Sequence, residues 1–206
     1  MRIGILALQG GFAEHASVMK DLGVETSEVR LPGHLNGLDG LVSPGGESTV
    51  IGKLAVSYGL LNPLREFGAS KPVWGTCAGA ILLSRDAHRE QPLLNMMNIA
   101  IARNAFGPQI DSFETGIYVA ALSLVDRSSR PFPGVFIRAP LIESVGGNAR
   151  ALGTLPDGRI VAAQEGHWLA TSFHPELTSD NRFHRYFLAM AVAAAVRSAR
   201  NQDRAA

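Results

Sequence analysis

Short apolar runs, bounded by glycine or polar residues, recur along the first part of the chain. Residues 3–8 and 38–42 are such runs, and continuous apolar residues are typical of parallel strands that are buried on both faces. Residues 25–29 and 72–74 are two further strand candidates. Between the strands, apolar residues at helical spacing predict helices over residues 12–22, 48–58 and 60–67. The alternation predicts an α/β fold, with a doubly wound, mostly parallel sheet flanked by helices.

The pattern changes over residues 97–145, where proline and glycine interrupt the apolar runs. We expect the remaining β-like segments to form added antiparallel strands at the edge of the sheet. These segments are residues 99–102, 116–121 and 135–139. Residues 159–163 and 168–173 then predict a hairpin.

The C-terminal part predicts one long helix, over about residues 182–200, with Asp180 as its capping residue. Residues 201–206 are expected to fray. No repeat, linker or low-complexity segment divides the chain. We therefore interpret residues 1–206 as a single domain, a length at which one hydrophobic core suffices.

Composition and charge narrow the class of protein. Lys and Arg total 19, Asp and Glu total 18, and the formal net charge is +1, so no basic surface favours nucleic acid. The longest apolar run, residues 187–196, is much shorter than the roughly 20 residues that a membrane span needs. One cysteine excludes an internal disulfide, and no Cys/His spacing is typical of a zinc site. We expect a soluble, cytoplasmic protein without metal, cofactor, nucleic acid or membrane partner.

The lone cysteine, Cys77, lies in a Gly-x-Cys-x-Gly segment between a strand and an apolar, helix-compatible run. This is the context of a nucleophile elbow, in which a sharp turn leaves no room for side chains two residues away. Gly75 and Gly79 remove that collision. A helix N-terminus beneath the thiol favours the thiolate. A buried core thiol is the alternative for an isolated cysteine, but the flanking glycines favour a nucleophile.

Among six histidines, His174 is the best candidate for a base because it directly follows an apolar strand and begins His-Pro-Glu. Pro175 fixes the backbone direction, so Glu176 and His174 can point the same way at the carboxyl end of the strand. The carboxylate can then hold the imidazole tautomer while the other ring nitrogen takes the proton of Cys77. Alone, His-x-Glu is an ordinary surface turn. Because it follows the Cys77 elbow in the chain order Cys, His, Glu, a catalytic triad is the better interpretation.

The segment Pro-Gly-Gly-Glu-Ser-Thr follows another predicted strand and precedes a helix. Acyl transfer needs donors for an oxyanion, and we expect Ala78 N–H with Gly45 or Gly46 N–H to supply them. The alternative is a plain strand-to-helix turn with Ser48 as N-cap. Because no Gly-Lys-Ser/Thr follows, a phosphate loop is a weaker alternative.

Two arginines lie beside apolar residues, Arg103 in Arg-Asn-Ala-Phe-Gly and Arg138 in Phe-Ile-Arg-Ala-Pro. An arginine in such a setting usually has an anionic partner. An exposed guanidinium over an apolar stem is an equally good interpretation of each one separately.

With these residues assembled, the chain resembles the class I, triad-type glutamine amidotransferases. Within them it is similar to the pyridoxine-biosynthesis glutaminase family, the glutaminase subunits of pyridoxal 5′-phosphate synthase. The Gly-Gly-Glu-Ser-Thr, Arg-Asn-x-Phe-Gly and Phe-Ile-Arg-Ala-Pro strings are the specific part of the resemblance. Further matching segments are residues 8–10, 14–15, 63–67, 75–79, 111–114 and 172–178.

The resemblance implies a triad of Cys77, His174 and Glu176. It also implies that L-glutamine is hydrolysed to L-glutamate and ammonia through a Cys77 thioester, and that ammonia passes to a separate synthase subunit. An arginine suits the α-carboxylate of glutamine, and Glu47 suits the α-ammonium. The residues expected to bind glutamine are Gly46, Glu47, Ser48, Arg103, Ile137 and Arg138.

Two departures from the family pattern are visible: Pro108 replaces an expected basic residue, and residues 125–133 form a longer stretch than usual. Gln9, Gly10 and His15 follow the first strand, and we expect them either to face the partner subunit or to form an ordinary helix start.

Three other functions remain open at this point. The chain can be another triad enzyme, such as the glutaminase subunit of a different amidotransferase. It can be a non-catalytic regulatory subunit, against which the intact Cys, His and Glu argue. It can be a nucleotide-binding module built on Gly45 and Gly46, which lacks the lysine of a phosphate loop.

Overall fold

A computed structural model describes residues 1–103 and 112–203 of the chain. Its strands, in chain order, are β1 Arg2–Leu6, β2 Glu25–Val29, β3 Gly40–Ser43, β4 Val73–Thr76, β5 Ser84–Asp86, β6 Met97–Ala102, β7 Ser112–Ile117, β8 Phe132–Ile137, β9 Leu141–Val145, β10 Arg150–Thr154, β11 Ile160–Glu165 and β12 Trp168–Thr171. The α-helices are α1 Phe12–Asp21, α2 Ser48–Ser57, α3 Leu61–Ser70, α4 Ala78–Leu83 and α5 Arg182–Asp203.

The main sheet has the strand order β2-β1-β3-β4-β12-β11-β9-β6-β5, and β10 pairs in addition with β11. Strands β2, β1, β3, β4 and β12 run parallel to their neighbours in this series. Three further pairings are antiparallel, those of β12 with β11, of β11 with β9 and of β9 with β6. The predicted fold class, a mostly parallel sheet with antiparallel strands added, is confirmed.

Helices cover both faces of the parallel part of the sheet, as a doubly wound fold requires. On one face, Met19 of α1 and Phe187 of α5 pack with Ile5 and Trp74 of the sheet. On the other, Ile51 of α2 and Leu64 of α3 join the second core cluster. Strands buried on both faces explain the continuous apolar runs in the sequence.

The predicted hairpin before His174 is present as β11 and β12, paired antiparallel from Ala162–Thr171 to Glu165–Trp168. The expectation for residues 116–121 and 135–139 was wrong, because β7 and β8 pair with each other in a separate two-stranded sheet. β8 alternates buried and less buried positions, and its Phe132 and Phe136 pack on Phe173. This ribbon therefore buries the aromatic side chains of β8 against the core instead of extending the main sheet. Residues 120–124 form a short 3-10 helix instead of a strand.

The C-terminal helix begins at Arg182, as predicted, and the side chain of Asp180 accepts a hydrogen bond from the Arg182 backbone N–H at 3.1 Å. The helix continues to Asp203, so it includes the first three residues of the segment that is expected to fray. Residues 204–206 and Pro108 lie outside the described residues.

Candidate active site

The candidate site lies where four adjacent parallel strands end. In strand order these are β1, β3, β4 and β12, and the chain continues from them into Gln9, Gly45, Cys77 and His174 respectively. Because the carboxyl ends of parallel strands meet at one edge of a sheet, residues far apart in sequence converge there.

Cys77 occupies a sharp turn between β4 and α4, with φ +49° and ψ −106°. A non-glycine residue with positive φ is strained, and such strain is concentrated at functional sites. A Cβ on Gly75 would lie 2.4 Å from Gly79 O, and a Cβ on Gly79 would lie 1.9 Å from Ser43 O. The two flanking glycines are therefore required by close backbone approach, as the sequence predicts.

The imidazole of His174 connects Cys77 to Glu176. His174 Nδ1 lies 2.8 Å from Glu176 Oε1, and the Glu176 side chain is almost fully buried. Burial opposes protonation of His174, yet hydrogen bonds with Cys77 and Glu176 raise its pKa to about 10. Burial also opposes ionisation of Glu176, but His15 and His174 keep the pKa of its carboxyl below the usual value. The charges favour an imidazolium at His174, next to the sulfur of Cys77.

The glycine segment after β3 packs closely against His174 and Cys77. A Cβ on Gly45 would lie 2.4 Å from His174 Cε1 and 3.4 Å from Cys77 Cβ. Gly46 lies beside Gln9, whose Oε1 accepts the Glu47 backbone N–H at 2.7 Å. The first N–H groups of α4, beginning with Ala78, have no acceptor within the helix. Backbone donors from two segments can thus approach a group bound to Cys77.

A cavity of about 340 Å³ opens above the Cys77 side chain. It combines polar backbone, a thiol, two guanidinium groups and an apolar wall, which is a setting suited to a small polar ligand. The residues that line it are Gln9, Gly46, Glu47, Ser48, Cys77, Ala78, Ile81, Arg103, Ile137, Arg138, Pro140 and His174.

Opposite charges lie side by side on one wall of this cavity. Arg103 Nη2 lies 2.7 Å from Glu47 Oε1. Glu47 also caps α2, since its carboxylate accepts the N–H groups of Thr49 and Val50 at 3.2 and 2.8 Å. Burial opposes ionisation of Glu47, but the Val50 and Thr49 N–H groups and then Arg103 hold the pKa of its carboxyl below the ordinary value. The pair presents one positive and one negative group to a ligand.

Another part of the cavity lining comes from the end of the ribbon formed by β7 and β8. Ile137 is the last residue of β8, and Arg138 follows it with φ +41°. Arg138 is thus a second strained residue facing the cavity. Arg103 has the anionic partner expected of it in Glu47, whereas Arg138 is exposed, as the alternative interpretation expects; both arginines line the same cavity as Cys77.

Several expectations for the surrounding residues need correction. The N-cap of α2 is Glu47 rather than Ser48, because a longer side chain reaches back to two N–H groups. Ser48 instead donates from its hydroxyl to Gln91 Oε1 at 3.3 Å. His15 cannot face a partner subunit, since it is fully buried. Gln9 lines the cavity itself.

Some neighbouring residues carried no signal in the sequence. Gln91 accepts hydrogen bonds from Ser48 and Thr49 and lies 3.4 Å from Arg103 Nη1, in a segment without regular structure. Ile81 and Pro140 reach the cavity from α4 and from the residues before β9. Each of these contacts depends on tertiary packing.

Two absences apply to the described residues only. Within residues 1–103 and 112–203, His, Cys, Asp and Glu form no group able to hold a metal ion. Over the same ranges, no helix combines the length and the apolar character needed to cross a membrane.

Comparison with known proteins agrees with this geometry. The model of the SNO glutamine amidotransferase family matches residues 5–193. The chain belongs to this family. A solved structure described as a glutamine amidotransferase superposes with a TM-score of 0.85 and 46% sequence identity, over 92% of this chain and 98% of that one.

Curated proteins are similar to this chain over nearly its whole length. A protein of Roseiflexus sp. (strain RS-1), named pyridoxal 5′-phosphate synthase subunit PdxT, is 52% identical over 92% of this chain and 100% of its own length. A protein of the same name from Herpetosiphon aurantiacus is 51% identical, with the same coverage of both chains. A putative GMP synthase subunit from Thermoplasma acidophilum, 20% identical with a TM-score of 0.68, shares the fold.

Proposed function

We propose that this protein is the glutaminase subunit of pyridoxal 5′-phosphate synthase and hydrolyses L-glutamine to L-glutamate and ammonia. The observation that carries the proposal is the Cys77–His174–Glu176 arrangement at the base of a cavity lined by paired charges. Membership of the SNO family and the names of the relatives support glutamine as the substrate and the synthase as the partner.

In the proposed reaction, the Cys77 thiolate attacks the carbon of the side-chain amide, and the carbonyl π electrons move to oxygen. Ala78 N–H and Gly45 or Gly46 N–H stabilise this oxyanion. The oxyanion collapses, the C–N bond breaks, and the His174 imidazolium gives its proton to the departing ammonia. A γ-glutamyl thioester remains. The neutral imidazole then takes a proton from water, hydroxide attacks the thioester, and glutamate leaves while the thiolate is restored.

Glutamine recognition follows from the charges on the cavity walls. Arg103 and Arg138 are suited to the α-carboxylate, and Glu47 to the α-ammonium. Gly46 and Ser48 supply backbone and hydroxyl groups, and Ile137 covers the methylene groups of the substrate. Asparagine is one methylene shorter, so it cannot place its amide on Cys77 and its α-groups on these partners together.

The proposed partner is a separate synthase subunit that consumes the ammonia, and the two form a hetero-oligomer. We place the complex in the cytoplasm, because the Cys77 thiol is needed in its reduced form. We also retain the interpretation of residues 1–206 as one glutamine amidotransferase domain without a cofactor of its own.

Glutamate release from glutamine, measured with and without the synthase subunit, tests the proposal. Cys77→Ala is expected to lower kcat at least about 10⁴-fold, because no other group can form the thioester. Unchanged thermal unfolding and co-purification with the synthase control for folding and assembly. Substantial glutamate release by Cys77→Ala would overturn the mechanism, and release with another amidotransferase synthase alone would reassign the partner.

A further inference from the structure

Two histidines are enclosed behind the triad, on the side of Glu176 that faces away from His174. His15, in α1, and His184, in α5, are both fully buried. His15 Nδ1 lies 3.1 Å from His184 Nε2, although 169 residues separate the two in sequence. His15 Nε2 lies 3.3 Å from Glu176 Oε2 and 3.1 Å from Thr76 Oγ1.

Buried polar groups in an otherwise apolar core need a partner, so the direction of each proton can be worked out. Glu176 Oε2 has no hydrogen-bond partner among the described residues, but His15 Nε2 faces it at 3.3 Å, and the charge of the ionised carboxylate favours a proton on that nitrogen. His15 Nδ1 then carries a lone pair and no proton, so it accepts a hydrogen bond from His184 Nε2–H. The opposite tautomer of His15 would turn a lone pair toward the carboxylate. His184 Nε2–H thus donates to His15 Nδ1, His15 Nε2–H points to Glu176 Oε2, and His174 Nδ1–H donates to the other oxygen, Oε1, of the same carboxylate.

Both rings are held neutral, which this arrangement of donors requires. Burial lowers the pKa of His15, with Glu176 and Glu14 opposing that effect and His174 adding to it. Burial and the neighbouring His15 lower the pKa of His184 to about 2. Trp74 also packs edge-on against each of the two imidazoles, with ring centroids 5.5 and 5.0 Å away.

We propose that His15 and His184 are positioning residues for the triad: His15 fixes the carboxylate of Glu176 through its free oxygen, and His184 fixes the tautomer of His15. The proposal rests on the glutaminase function above. Through Thr76, the residue before the nucleophile, His15 also links the strand of Cys77 to the carboxylate that orients its base. Neither histidine lines the cavity, so they act without touching the substrate.

The test compares three variants with the wild-type complex: His15→Leu, His15→Gln and His184→Leu. Leucine removes the donor, whereas the side-chain amide of glutamine can replace Nε2–H. kcat and KM for glutamine are measured against pH with the synthase subunit present. The alkylation rate of Cys77 by iodoacetamide, measured against pH, gives a readout independent of turnover.

His15→Leu is expected to lower kcat about tenfold at an unchanged KM, because the imidazole of His174 loses its fixed orientation. The acid limb of kcat and of Cys77 alkylation should move up by about one pH unit, since Glu176 without the imidazole beside its second oxygen binds a proton more readily. His15→Gln should restore the limb and most of kcat. His184→Leu removes the imidazole farther from Glu176. It should change kcat and the acid limb in the same direction as His15→Leu, but by a smaller amount.

Met19→Ala is the matched control, because Met19 is fully buried in the same helix as His15 and its side chain has no N–H group to offer the carboxylate. It should destabilise the protein but leave the acid limb of the folded enzyme in place. If His15→Leu and His184→Leu behave like Met19→Ala, the histidines only fill space and the proposal is wrong. If His15→Leu does not fold, an unmoved limb in His184→Leu overturns it. Wild-type complex that releases no glutamate would instead overturn the proposed function.

Discussion

The two halves of the main sheet contribute differently to the candidate site. The parallel half, from β1 through β3 and β4 to β12, provides the nucleophile, its base and the backbone donors. The antiparallel strand β6 and the separate ribbon provide Arg103, Ile137 and Arg138, which line the cavity above. The reacting groups therefore come from the half that helices cover on both faces, and the added strands complete the ligand walls together with Glu47.

This division explains why the first half leaves clear patterns in the sequence. A sharp turn at Cys77 demands glycines at fixed spacing, and strands covered on both faces demand continuous apolar residues. The added strands are short and interrupted, and their place depends on which neighbour they pair with. If the division is real, substitutions in the first half should change kcat, and substitutions in the second should change KM.

The largest effect is expected for the base. His174→Ala should lower kcat about 10⁴- to 10⁶-fold in the glutaminase assay, and Glu176→Gln should be roughly 100-fold less damaging because it orients rather than reacts. KM should change little in either. Equal losses in the two variants, or a loss confined to KM, would contradict the roles given to this half.

Gly45→Ala is expected to come next. The added Cβ would meet His174 Cε1 at 2.4 Å, so the imidazole must move, and a displacement of about 1 Å lowers kcat about 100-fold. Gly33→Ala is the matched control, because nothing lies within 4 Å of its added Cβ. Normal kcat in Gly45→Ala would show that the base does not occupy the position described.

Arg138→Gly tests the second half. Loss of a charged hydrogen bond, at about 1.5–3 kcal/mol, should raise KM for glutamine about 10- to 100-fold with kcat nearly unchanged. Relief of the positive φ should raise the free energy of unfolding by up to about 1 kcal/mol. Arg127→Gly removes the same charge from an exposed residue outside the cavity and should leave KM unchanged. A fall in kcat without a rise in KM would contradict the division.

The smallest effect concerns how the free energy of unfolding depends on pH. This dependence has opposite signs for a histidine packed against the parallel half and one in the antiparallel half. His184 has a folded pKa near 2, below its unfolded value, so the unfolded state binds more protons and stability falls as pH drops below about 6.5. Between pH 6 and 5, the wild type should lose about 1.4 kcal/mol per pH unit more than His184→Phe. Equal slopes of the free energy of unfolding would show that His184 is not held neutral.

His88 provides the contrasting case in the antiparallel half. It is exposed and contacts Glu143 of β9 and Asp86 of β5, and the hydrogen bond with Glu143 followed by the charge of Asp86 raises its pKa. Its stabilisation is present below about pH 6.5 and is lost as pH rises through the raised pKa. The free energy of unfolding, measured with a chemical denaturant, should therefore fall less for His88→Gln than for the wild type as pH rises above about 6.5. Below pH 6 its dependence on pH should be the same in the two proteins.

The parts of the molecule that sequence predicts are those that local geometry dictates. The elbow at Cys77, the hairpin that delivers His174, and the start of α5 at Arg182 all follow from spacing over a few residues. The pairing of β7 with β8, the capping of α2 by Glu47 and the role of Gln91 do not, because each is decided by competing tertiary contacts. His15 shows the limit most clearly: its position after the first strand was informative, but its partner lies 169 residues away.

The central claim is that Cys77 forms a covalent γ-glutamyl thioester with its charge balanced by His174. The most direct measurement is mass spectrometry of the wild-type complex, quenched in acid during turnover of glutamine and digested. The account predicts a γ-glutamyl group on the peptide that contains Cys77, absent after hydroxylamine treatment and absent from Cys77→Ala. Turnover at full rate with that peptide unmodified, under conditions in which a synthetic thioester survives the quench, would contradict it.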